Sequence, residues 1–155
     1  MKNKFNLPFA LLTIIFLAFP PNCLSEQPDP KIWDYVGYNF NYNKKIIKKS
    51  PDLPLVWSYM TITDDVREKR VEEVKKYDPE KSIKYKDYHH EVVLWEIDCN
   101  KRLLRMKEYI DFDKNGKVID RYKYNDSGWD SILSKSRGET LYKKACVPPK
   151  TSQKK

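Results

Sequence analysis

The residues whose types best suit them to hold a ligand lie between Asp111 and Asp120. Asp111, Asp113, Asn115 and Gly116 reproduce the opening of a calcium-binding loop, in which alternating oxygen side chains surround a hard cation and glycine makes the sharp turn. Asp120 adds a carboxylate close behind. The twelfth position of such a loop needs a glutamate binding through both oxygens, and here it is Tyr122. A turn at Asn115-Gly116 joining two strands accounts for the same residues, with Gly116 supplying a positive φ. That turn is the preferred reading, and a metal held by Asp111, Asp113, Asn115 and Asp120 is the weaker alternative.

The two histidines, His89 and His90, are adjacent. Neighbours in an extended segment point to opposite faces, so the pair is not expected to ligate one metal. Glu96 and Asp98, two apart, share a strand face, but a bare carboxylate pair there is more simply a solvated one. No nucleophile beside a base, no phosphate loop and no metal cluster is legible, so the chain is read as non-enzymatic, with no catalytic residue and no cofactor.

Charge points outward instead. Thirty Lys+Arg against 22 Asp+Glu give a formal net charge of +8, an excess that favours anionic surfaces without specifying one. Lys44, Lys45, Lys48 and Lys49 bracket Ile46-Ile47 and form a candidate basic binding patch. Lysines at a sheet edge also guard it against unwanted strand addition, which is the plainer explanation.

Residues 1–25 have the shape of a secretory signal: Lys2 and Lys4, an apolar run from Phe9 to Phe19, then Pro20-Pro21. The run is too short to cross a bilayer, which takes about 20 residues, so no membrane span is expected after cleavage. Cutting after Ser25 places Cys23 and Ser25 at the small-residue positions of a signal-peptidase site. Lipid attachment at Cys23 is disfavoured, because Pro20, Pro21 and Asn22 precede it. Loss of Lys2 and Lys4 with the signal lowers the net charge by two, and export argues against a nucleic-acid partner. Cys99 and Cys146 then remain. An even pair in an oxidising compartment is most simply a disulfide.

The elements that must position these residues follow from hydrophobic spacing. Glu91 to Phe112 reads as two strands reversing at Asn100 and Lys101, with Val93, Trp95, Ile97 and Cys99 on one face. Cys99 therefore points to the core, where a short helix over Gly138–Ala145, introduced by Ser134 or Ser136, would carry Cys146 across the sheet. Trp33 to Tyr42 alternates around a turn at Gly37 to Asn39, and Leu55 to Thr63 has apolar residues on both faces, as a central strand does. Asp64 is expected to cap a helix reaching about Tyr77 and stopped by Asp78-Pro79. Its thin stripe of Val66, Val71, Val74 and Tyr77 predicts a loosely docked surface helix. Val118 to Tyr124 returns along the hairpin, and Trp129 is expected to re-enter the core. Eleven Tyr and four Trp against four Gly suit a sheet protein that binds something.

The predicted fold is α+β, an antiparallel sheet of about six strands with a disulfide-tethered C-terminal helix on one face. The organisation is a signal peptide at 1–25, a flexible leader at 26–31, one domain at 32–147 and a disordered basic tail at 148–155. The order Trp33-x-Tyr35, Val56-Trp57, Leu94-Trp95-Glu96-Ile97-Asp98-Cys99, a hairpin at Asp113 to Gly116, Trp129-Asp130-Ser131-Ile132 and Leu141-Tyr142-Lys143-Lys144-Ala145-Cys146 resembles the bacterial surface-adhesin protein E family. The resemblance implies a curved sheet and a Gram-negative envelope protein, periplasmic or on the outer surface. Some members bind host matrix proteins such as vitronectin and laminin. The expected partner is a protein, of the host matrix or of the envelope, the latter taken by contacts at a sheet edge. A homodimer is compatible with either.

Overall fold

The structure, a computed structural model, describes residues 28–48 and 50–146. The expected signal, Cys23 and the basic tail lie outside these residues, as does Lys49. Eight strands form one antiparallel sheet: β1 (Trp33–Gly37), β2 (Phe40–Asn43), β3 (Ile47–Lys48), β4 (Pro54–Thr61), β5 (Tyr88–Asp98), β6 (Leu103–Asp113), β7 (Val118–Lys123) and β8 (Asp130–Ser131). Six of them run in the order β1-β2-β4-β5-β6-β7, while the two-residue strands β3 and β8 pair with β4 and β6. Three helices accompany them: α1 (Asp64–Lys75), α2 (Pro79–Tyr85) and α3 (Arg137–Cys146).

The central hairpin has the predicted alternation. Val93 and Ile97 are buried, and Trp95 packs against the same core as Ile97. From the other side of that core α3 contributes Leu141 and Ala145, meeting Phe40, Tyr42, Val56 and Ile132. Ser136 caps α3 by accepting from the Glu139 N–H at 3.1 Å. Gly138 lets the helix start lie close to β6, since a Cβ there would sit 2.6 Å from Leu104 Cδ2. Cys99 and Cys146 are disulfide-bonded, with Cα atoms 5.5 Å apart, which ties the end of α3 to the β5–β6 turn.

Three expectations are corrected. The helix from Asp64 ends at Lys75, and its N-cap is Thr63. Asp78-Pro79 then begins α2 instead of stopping a helix. The Asp78 carboxylate accepts from the Lys81 N–H at 2.9 Å, and Pro79 occupies the first turn, where its missing N–H is harmless. Trp129 is 37% exposed and lies on the Arg105 guanidinium, 4.4 Å from it, leaving Ile132 to enter the core. α1 buries none of its residues, in keeping with its thin apolar stripe.

Bulges decide which side chains share a face. Trp95 pairs with Met106 and Leu94 with Glu108, so Lys107 is an extra residue in β6. His89 is likewise extra in β5, because Tyr88 pairs with Asp113 and His90 with Phe112. Ile119 is extra in β7.

Candidate binding faces

The sheet presents two unlike faces. One carries no helix among the described residues and is faced with rings. Trp33 of β1 meets Tyr59 of β4 at 5.5 Å between ring centroids; Tyr59 stacks on His90 of β5 at 4.7 Å, and His90 on Phe112 of β6 at 4.7 Å. His90 and Phe112 are directly opposite in register, Tyr59 is diagonal to His90, and Trp33 reaches Tyr59 across β2, distances that aromatic side chains on one face can span. Beside it Tyr35 is 67% exposed. A cavity of about 570 Å³ is lined by Trp33, Tyr35, Asn39, Asn41 and Lys44, and a second of about 330 Å³ by Tyr59, His89, His90, Lys114 and Gly116.

The histidines correct another expectation. Instead of facing apart, His89 Nδ1 and His90 Nδ1 approach to 3.2 Å, because the bulge at His89 breaks the alternation. Burial, with His89 adding to it, holds the His90 imidazole down to about 4. It is therefore a neutral, stacked ring at neutral pH. Among the described residues no group of three or more His, Cys, Asp or Glu is arranged to hold a metal ion.

The basic patch is only partly assembled on this side. Lys44 borders the larger cavity while its ammonium donates to the Pro30 carbonyl at 2.8 Å. Lys45 and Lys48 are exposed on the chain that follows, towards the β3 edge.

The other face carries α3 at one end and the α1–α2 pair at the other. Under the pair lies a polar network. Tyr88 and Tyr109 both donate to Glu91 Oε2, at 3.0 and 2.9 Å, and Arg70 of α1 donates to the Tyr109 hydroxyl at 3.0 Å. Tyr85 of α2 donates to Asp111 at 2.6 Å. Lys81 bonds Asp120 and also the Tyr122 hydroxyl, the latter at 3.1 Å. Burial raises the Glu91 carboxyl above the usual glutamate range, with the two phenols pulling the other way. Burial works against the charge of Asp120 as well, but Lys81 and Tyr122 hold it below the usual range.

The weaker metal set does not converge. Asp113 accepts the Asn115 and Lys117 N–H groups, both at 2.8 Å, and so closes the hairpin turn, where Gly116 has φ +76°. Asp111 and Asp120 belong instead to the network under α2. Their partners Tyr85 and Lys81 are not legible without α2, whose signal in the sequence is Asp78 followed by Pro79, a cap and first-turn pair.

What the arrangement offers is aromatic, cationic and hydrogen-bonding contact. No curated protein and no solved structure matches the chain. The model of the surface-adhesin protein E family matches residues 38–147, from the β1–β2 turn past the last cysteine. With its paired cysteines, its open antiparallel sheet and its closing helix, the chain belongs to the surface-adhesin protein E family.

Proposed function

We propose that this chain is an exported, non-catalytic binding protein of a Gram-negative cell envelope that takes a protein partner on its helix-free aromatic face. The observation that carries this is the ring row Trp33–Tyr59–His90–Phe112 beside the exposed Tyr35. Aromatic residues supply most of the contact energy in protein interfaces at low entropic cost, and lysines at the rim steer an acidic partner. Lys44 stands at that rim, and Lys45 and Lys48 are exposed on the chain that follows, with Lys49 next in sequence. Family membership supports a surface or secreted setting, and no described helix is long and apolar enough to cross a membrane. Adhesion to a host matrix protein is the specific form of the proposal. The export signal at 1–25, cleaved after Ser25, is part of it.

Immobilised vitronectin and laminin provide the direct test. The native chain should bind at least one, and Tyr35→Ala should weaken that binding by about tenfold, the scale of an aromatic hot spot, while leaving the fold intact. Equal binding by the variant would move the contact off this face. Intact-mass measurement of the exported protein should give an N-terminus at Glu26, and an acylated Cys23 would refute the cleavage assigned here.

A second reading rests on β7, whose outer edge pairs with no strand among the described residues. An envelope partner could add a strand there. Labelling of intact cells distinguishes the two: an adhesin is reached from outside, and a periplasmic accessory protein is not.

A further inference from the structure

The face beneath α1 and α2 holds a site distinct from the aromatic face. Register sets Glu91 opposite Asp111 and Asp111 opposite Asp120, so three carboxylates stand in one row across β5, β6 and β7. Like charges placed directly opposite in a sheet repel, so such a row needs cations and donors supplied to it. Two cations serve it. Lys81 pairs with Asp120, and Arg70 reaches the row through the Tyr109 hydroxyl. The middle carboxylate is served least. Asp111 is 1% exposed; its Oδ2 accepts from Tyr85, while its Oδ1 has no hydrogen-bond partner. A buried carboxylate oxygen left without a donor is costly, and such groups call for an explanation.

Asp111 also lines a crevice of about 210 Å³ whose other walls include Tyr77, Tyr109, Asp120 and Tyr122. The chain itself displays the chemistry this crevice favours. Lys81 lays its ammonium 5.4 Å from the centre of the Tyr122 ring while bonding Asp120 and the Tyr122 hydroxyl. Carboxylate on one side and a phenol ring on the other form a receptor for an organic cation. Arg70 and Lys81 also line the crevice, so an incoming cation must take the place of the Lys81 ammonium.

We propose that this crevice binds a primary ammonium or guanidinium group on a short apolar stem, the side chain of a lysine or arginine from a partner protein, with Asp111 as its ion-pair acceptor. Tyr77 and Tyr122 flank the stem. Lys81 is the internal competitor, holding Asp120 and Tyr122 as the incoming cation would.

The full exported chain, titrated with n-butylammonium and n-butylguanidinium and followed by the tyrosine resonances, tests this, with n-butanol as the uncharged control. The cations should bind about tenfold or more tightly than the alcohol, and added salt should weaken them. Lys81→Ala should tighten cation binding several-fold, and Asp111→Asn should weaken it about tenfold. Alcohol binding equal to that of the cations overturns the proposal. So does failure of both the native chain and Lys81→Ala to bind cations, which would leave Asp111 a purely structural carboxylate. Should Asp111→Asn not fold, Lys81→Ala decides: no tightening refutes the site. None of these results depends on Tyr35 or on binding at the aromatic face.

Discussion

The two helical covers on one face of the sheet are held by opposite means. α3 is amphipathic, buries Leu141 and Ala145 in the main core and is cross-linked at its end by Cys146. The α1–α2 pair shares only a small cluster, Ile62, Tyr85 and Tyr88 with Val71 and Val74, and is otherwise fastened by single polar bonds: Arg67 to the Tyr88 carbonyl at 2.8 Å, Arg70 to Tyr109, Tyr85 to Asp111, and Lys81 to Asp120. Apolar burial and a covalent tie neither titrate near neutral pH nor are screened by salt. Charged and phenolic contacts respond to pH and salt, so solution conditions act first on the α1–α2 end of the face.

Breaking the tie of α3 should have the largest effect. The disulfide spans 47 residues, and the chain-entropy model gives about 4 kcal/mol for such a loop. Denaturant unfolding of the Cys99→Ser, Cys146→Ser double variant should show a loss of that order, with hydrogen exchange rising in α3 before α1. Tyr85→Phe probes the other cover. It removes the Tyr85 hydroxyl from Asp111 Oδ2, and a loss of about 2 kcal/mol is expected from an orphaned buried acceptor, read from thermal or denaturant midpoints.

The helix-free face supplies the contrast in pH. His90 titrates in the folded chain at about 4 against an ordinary 6.5, chiefly through burial. Between those values the unfolded chain binds more protons, so His90's contribution is whole above pH 6.5 and is lost as pH falls to 4. Allowing for its partial exposure, the loss is about 1–2 kcal/mol. His90→Phe, which keeps a ring between Tyr59 and Phe112, should flatten the stability profile across that window. Glu91 has the reverse sign: its raised value favours the fold at low pH, and the advantage fades as pH rises above the ordinary glutamate value. The smallest effect is at the cap of α2, where Asp78→Ala should cost about 1 kcal/mol in chemical denaturation.

How legible each region was follows the same division. The α3 end rests on period-two alternation from Val93 to Cys99 and on an amphipathic stretch ending in cysteine, which are local patterns. The α1–α2 end rests on pairings between distant residues. Tyr85 with Asp111 and Lys81 with Asp120 cannot be seen until α2 is placed, and a helix of seven residues introduced by Asp-Pro reads equally as a break. The histidine pair escapes the pattern for a related reason: a bulge obeys no periodicity, so strict alternation sends His89 and His90 apart. Trp129 follows the Asn125 to Gly128 loop as a residue expected in the core, yet the Arg105 guanidinium covers its indole instead.

The supernumerary Lys107 has a consequence for length changes. Upstream of it β6 turns its even-numbered side chains, Leu104 and Met106, toward the helices; downstream the odd-numbered ones, Tyr109 and Asp111, take over. Excising that single lysine would regularise the strand without turning it over: Glu108 would still oppose Leu94 and Asp111 would still oppose Glu91, so Asp111 would stay beneath α2 and Phe112 on the ring-bearing side. A one-codon deletion at the bulge would therefore leave the chemistry of the two faces in place, whereas deletion of a regularly paired residue such as Ile110 would turn over the side chains beyond it.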